Sequence, residues 1–234
     1  MNRLESAMMA VADPSQVDGL SRFFKCGPGQ YGEGDKFLGI KVPMTRQVVR
    51  NLWKDCPMGD LHQCMLSPYH EVRLAALLVL VQQFRHTKEI LAQQGQIDFY
   101  LTHMDYVNNW DLVDLSCYEL LGVWLLDKDR QILYDLAQCN HLWKQRIAMV
   151  STMQFLRHGQ LDDTYAIADL LLPHRHDLIQ KAVGWLLREA GKRDEVRLMN
   201  YLRERYTAIP RTTLRYAIER FEPSSRNAFL KGVG

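Results

Sequence analysis

Arg73-Leu-Ala-Ala-Leu77, Arg146-Ile-Ala-Met-Val150, Lys181-Ala-Val-Gly-Trp185 and Arg215-Tyr-Ala-Ile-Glu219 open alike, with a basic residue followed by apolar and small ones. Asp111-Leu-Val-Asp-Leu115 fills the same slot with a carboxylate in place of the base. In chain order the five slots are 38, 35, 35 and 34 residues apart. A helix pair of that length cannot bury its apolar face alone, so neighbouring pairs must stack into a solenoid. The step is a little shorter than the ~40–47 residues usual for HEAT repeats, which makes these repeats HEAT-like. Solenoids curve, and the same helix of every repeat lines one concave face. The repeat therefore predicts a groove with Arg73, Arg146, Lys181 and Arg215 spread along it.

The rest of the chain agrees with helices. Leu74, Leu77, Leu78 and Val81 fall at the i, i+3, i+4, i+7 spacing of a helix face. Ser67-Pro68, Leu172-Pro173 and Ile209-Pro210 each precede a helical run, where proline suits the entry to the first turn. Alternating strand-like runs are nearly absent. The expected class is all-α, one domain over residues 1–234. Gly27-Pro-Gly-Gln-Tyr-Gly32 matches the glycine spacing of a dinucleotide-binding loop, but no strand precedes it and no helix opens directly after it. It reads as a shaped loop.

With 234 residues, 47% hydrophobic and 24% charged, the chain has the composition of a globular protein, which excludes disorder. No segment approaches the roughly 20 apolar residues of a membrane span, and Met1-Asn-Arg-Leu-Glu-Ser6 lacks the apolar core of a signal peptide. Five scattered cysteines without a C-x-x-C pair read as reduced thiols in a cytoplasm. From His141 onward there are 16 Lys and Arg against 10 Asp and Glu, leaving 13 against 17 before it. The basic half suits a polyanion, although uneven solvated faces would give the same count. His174-Arg-His176 and His70-Glu71 have no metal-ligand spacing, and no nucleophile-elbow pattern occurs. Neither a metal nor an organic cofactor is expected.

Trp110 and Asp114 stand four residues apart and share one helix face. Taken alone, Trp110 reads as core packing and Asp114 as a solvated or paired carboxylate. The apolar neighbours Leu112, Val113 and Leu115 bury one side of that helix, and Asp111 is read as its exposed charge. Lys181, Trp185 and Arg188 share another face. There a tryptophan between cations can pack on a sugar or base while the cations hold phosphates, or the cations can simply cover an apolar patch. Arg146 carries a fork able to grip a phosphate in two places; otherwise it pairs with a carboxylate such as Asp111.

Five segments, in order, resemble the AlkD-like DNA alkylation repair glycosylases. They are Phe37-Leu-Gly-Ile-Lys-Val-Pro-Met-Thr-Arg46, Asn109-Trp-Asp-Leu-Val-Asp114, Trp143-Lys-Gln-Arg146, Ile179-Gln-Lys-Ala-Val-Gly-Trp-Leu-Leu-Arg-Glu189 and Pro210-Arg-Thr-Thr-Leu-Arg-Tyr-Ala-Ile-Glu-Arg220. The resemblance runs from about Phe23 to Lys231 and implies a right-handed α–α superhelix. It also implies a monofunctional glycosylase, working as a monomer in the bacterial cytosol or nucleoid. Such an enzyme excises cationic N3- and N7-alkylpurines such as 3-methyladenine and 7-methylguanine from double-stranded DNA. Its catalytic carboxylate falls on Asp114, its sugar-packing tryptophans on Trp110 and Trp185, and its phosphate-contacting arginine on Arg146. Lys181, Arg188, Arg73 and Arg215 would hold more of the DNA backbone. One position departs: a tyrosine of the best-known member falls on Phe23, leaving Tyr31 as a candidate to supply the missing hydroxyl. The alternative within the same family is a protein that binds DNA structures without catalysis.

Overall fold

The computed structural model describes residues 1–232. Among them the only strand-like pairing is one isolated bridge, between Lys36 and Tyr69. The all-α expectation holds. The helices gather into two compact units, Met1–Ser116 and a second that begins at Cys117.

The first unit contains α1 (Arg3–Ala10), α2 (Val17–Phe23), α3 (Val42–Leu52), α4 (Met58–Met65), α5 (His70–His86), α6 (Ile90–Thr102) and α7 (Trp110–Asp114). Its centre is α5, which α1, α3, α4, α6 and α7 all touch. Every residue from His70 to Val81 is buried, so the apolar stripe expected on one face is in fact a helix covered all round. Burying polar side chains there demands partners. Glu71 finds them in the chain itself: its carboxylate accepts the backbone N–H groups of Leu38, Gly39 and Ile40 at 2.9–3.1 Å. This clamp shapes the Phe37–Ile40 turn. Gly39 sits there with φ +83° and its missing side chain would collide with the Asp13 carbonyl, so only glycine fits.

The second unit contains a π-helical turn (Tyr118–Gly122), α8 (Gln131–Gln138), α9 (Leu142–Ser151), α10 (Met153–Arg157), α11 (Asp162–Leu171), α12 (Asp177–Gly191), α13 (Glu195–Glu204), α14 (Arg211–Ala217) and α15 (Pro223–Lys231). Here the repeat is plain. The pairs α8/α9 and α11/α12 stack with α8 on α11 and α9 on α12, while α12 also packs on α13 and α14. Each tie between neighbours uses a side chain on a carbonyl or carboxylate. Arg146 of α9 donates to the Leu178 carbonyl at 2.5 Å, and Thr213 of α14 to the Gln180 carbonyl at 3.0 Å, both in the first turn or so of α12. In the other layer Arg197 of α13 bonds Asp162, and Tyr201 of α13 and Arg205 just after it bond Asp169.

The α12–α14 approach depends on Gly184. A Cβ there would lie 2.5 Å from the Tyr216 Cβ and 2.6 Å from the Thr213 carbonyl oxygen. Gly184→Ala should therefore force the helices apart, costing roughly 1–3 kcal/mol of stability. Urea unfolding would read this as a lower midpoint at unchanged slope; an unchanged midpoint would mean that the interface can give.

Candidate functional site

Helix α7 is only five residues long, and its start is fixed from one side chain. Asn109 is fully buried with extended backbone, its Oδ1 accepts the Trp110 N–H at 2.9 Å, and its Nδ2 reaches the Phe24 carbonyl at 3.5 Å. At the other end the Ser116 hydroxyl donates to the Leu112 carbonyl at 2.5 Å. Asp114, the last residue of α7, is half-buried, as is Trp110 one turn before it.

Trp110 stands on an aromatic platform. Phe24 stacks on it at 5.3 Å between ring centres and 23° between planes, and Phe23 meets it edge-on at 5.7 Å. Phe23 itself is 60% exposed. Beneath, Phe24 lies against Phe37 and against the His70 ring, 5.4 and 4.7 Å away. Such contacts between flat, electron-rich faces hold a ring in one orientation and add ~1 kcal/mol each.

Under the platform lies a buried charge network. His70 Nδ1 is 3.1 Å from Asp35 Oδ2 and Nε2 is 2.9 Å from Asp111 Oδ2. Burial alone would lower the His70 pKa, but the carboxylates of Asp111 and Asp35 outweigh it and hold the imidazole up at about 9. Asp35 also takes bonds from Arg73 at 2.6 Å and Asn108 at 2.9 Å, and against the pull of burial these partners, with His70, keep its carboxyl below the usual range. Arg73 also donates to Asn108 Oδ1 at 3.0 Å and to the Ser67 carbonyl at 2.8 Å.

Two expectations change here. Asp111 is not the exposed charge of its helix: it is 3% exposed, bonded to His70 and to the Leu112 N–H. Arg73 does not lie open along a groove. It is buried to 4% exposure, and both terminal guanidinium nitrogens are bonded inside the first unit.

In the second unit α12 carries Lys181, Trp185 and Arg188 at partial exposure along one side. Lys181 pairs with Asp177 one turn earlier at 2.6 Å, and Arg188 bonds both Glu219 and Glu189. A phosphate reaching Arg188 competes with the Glu219 and Glu189 carboxylates, whereas the part-exposed Lys181 ammonium keeps donors beyond the one on Asp177. Trp185 lines an open cleft together with Met153, Leu156, Arg157, Glu189, Lys192 and Arg193. Arg146 is buried at 6% exposure with its guanidinium on the Leu178 carbonyl, and Arg215 is exposed on α14.

Residues 4–221 match the family model described as DNA alkylation repair enzyme. The chain belongs to the DNA alkylation repair enzyme family. One solved structure, described as a predicted DNA alkylation repair enzyme from Enterococcus faecalis, shares this fold with a TM-score of 0.71. The two chains are 17% identical, and the match covers 91% of this chain and 97% of that one. No curated protein is significantly similar to it. No helix among the described residues is long and apolar enough to cross a membrane.

Within this DNA alkylation repair protein, Trp110 meets Phe23 and shares α7 with Asp114 in the first unit, and α12 carries Lys181, Trp185 and Arg188 in the second. The sequence reading missed Phe24 and His70. Phe24 carried a signal, as the second of two adjacent aromatics at a helix end. His70 carried none, because Asp35 and Asp111 stand 35 and 41 residues from it and obey no spacing rule.

Proposed function

We propose that this DNA alkylation repair protein is a monofunctional glycosylase that hydrolyses the N-glycosidic bond of cationic N3- and N7-alkylpurines. The observation that carries this reading is a half-buried carboxylate, Asp114, one turn from a tryptophan held rigid on an aromatic platform. Alkylation already makes the purine a good leaving group, so the bond breaks with its electron pair going to the base, which departs neutral. Positive charge then develops at the deoxyribose C1′. Asp114 stabilises that charge and orients the water, whose oxygen bonds C1′ as one proton is released. The electron-rich face of Trp110 favours the same charge. On α12 we assign Trp185 to a deoxyribose and Lys181 and Arg188 to phosphates, with Arg146 and Arg215 as further backbone contacts. The chemistry requires no metal or redox partner and leaves an abasic site for base excision repair. The protein acts as a monomer on double-stranded DNA in the cytosol.

Incubation with methylated duplex DNA should release 3-methyladenine or 7-methylguanine. If no base appears with enzyme in excess over DNA, while branched DNA is bound tightly, the protein binds DNA structure without catalysis. Phosphate contacts also give binding a linear fall in log affinity with log salt, about 0.9 per contact on duplex DNA. Replacing both Lys181 and Arg215 with Ala should flatten that slope by roughly 2; an unchanged slope would remove them from the interface.

A further inference from the structure

We infer that His70 is a positioning residue for the glycosylase site, acting as an imidazolium whose two N–H groups hold Asp35 and Asp111 and so fix the helix and ring stack that carry Trp110 and Asp114. The inference rests on the reading of this site as that of a glycosylase. Its ground is donor counting. Both ring nitrogens face carboxylate oxygens at 3.1 and 2.9 Å, and an ionised carboxylate only accepts. Both nitrogens must therefore donate, which only the charged ring can do. A neutral ring would set a lone pair against one of the two buried carboxylates.

The groups around the ring favour the same state. Asp35 comes from the loop ahead of α3 and Asp111 from α7. Arg73, one turn along α5, takes the other oxygen of Asp35. The Glu71 charge is turned away onto the Leu38–Ile40 amides. Cys26, in the loop after α2, stays a neutral thiol, pushed up to about 11 by burial and by Asp35. Two carboxylates thus meet two cations, and losing the His70 proton leaves an excess negative charge under the platform.

The path to the site is short. Asp111 is the second residue of α7, between Trp110 and Asp114. The His70 ring lies against Phe24, and Phe24 stacks on Trp110. When the ring loses its charge, both supports of α7 loosen together. A folded-state pKa raised to about 9 means that this support is complete below the ordinary histidine value near 6.5 and is lost as pH rises through about 9.

Three measurements on the full chain test this. In wild-type protein, 15N shifts of the His70 ring should report the charged form at pH 7, with a titration midpoint near 9, and the Trp110 indole signal should move with that midpoint. A neutral His70 at pH 7, or a Trp110 signal indifferent to the titration, overturns the inference whether or not base is released. Single-turnover release of 3-methyladenine should fall about tenfold between pH 8 and pH 10 through loss of one proton. In folded His70→Gln that alkaline fall should vanish and the rate should lie near the wild-type alkaline value; persistence of the fall assigns it to another group. Absence of release by wild type at every pH would defeat the glycosylase reading, while the ring and indole titrations would still decide the role of His70.

Discussion

Asp114→Asn should lower single-turnover release of 3-methyladenine by at least about 10²–10³-fold, the usual cost of removing one electrostatic group aimed at transition-state charge. The substitution keeps size and hydrogen-bonding shape and removes only the charge. Affinity for duplex DNA should be held or slightly raised, since a negative group facing a polyanion is gone. Release rates with enzyme in excess, paired with anisotropy binding curves, separate the two effects. A rate within threefold of wild type would mean that Asp114 is structural. The neighbour Asp111 provides the contrast. Asp111→Asn breaks the bond network beneath the platform, so its loss of rate should come with a lower melting temperature, whereas Asp114→Asn should not lower it comparably.

The second large effect is on stability. Arg73→Met removes a buried cation with bonds to Ser67, Asp35 and Asn108. Breaking a buried ion pair from one side typically costs about 3–5 kcal/mol, because the partner charge stays behind. For a chain of this length that is a fall of roughly 10 °C in melting temperature. The salt slope of DNA binding by the folded fraction should stay as in wild type. A flattened slope with normal stability would instead return Arg73 to the DNA interface.

Arg73 shows where the chain was legible and where it was not. The base-apolar-small slot correctly marks a helix at all five positions, because helix periodicity is a local property of the chain. Whether the base at its head faces solvent is a tertiary matter. At Arg215 it does. At Arg73 the same pattern begins a helix enclosed by five others, and the cation is spent on Asp35. The two carboxylates of Asp111-Leu-Val-Asp114 repeat the lesson over one turn. Both are equally polar in sequence, yet one is buried on His70 and the other half-exposed at the helix end. No rule of spacing links Asp35, His70 and Asp111, so the network under Trp110 was invisible until the chain was folded. Phe23 and Trp110, by contrast, stand in the stretch that resembles the family, and the structure adds Phe24 as the platform ring that also lies against His70.

Helix α12 touches α9, α10, α11, α13 and α14. In an ideal stack each repeat meets only the next, and the array can fray from an end one repeat at a time. The five helices that α12 touches belong to its own repeat and to the repeats on either side, so both neighbours are held through this one element. Loosening any pair strips surface from α12 itself, so the helices around it gain or lose order as one cooperative block. The helix assigned to grip the DNA backbone is thus held on several sides at once, which favours a surface of Lys181, Trp185 and Arg188 already in place before any ligand arrives.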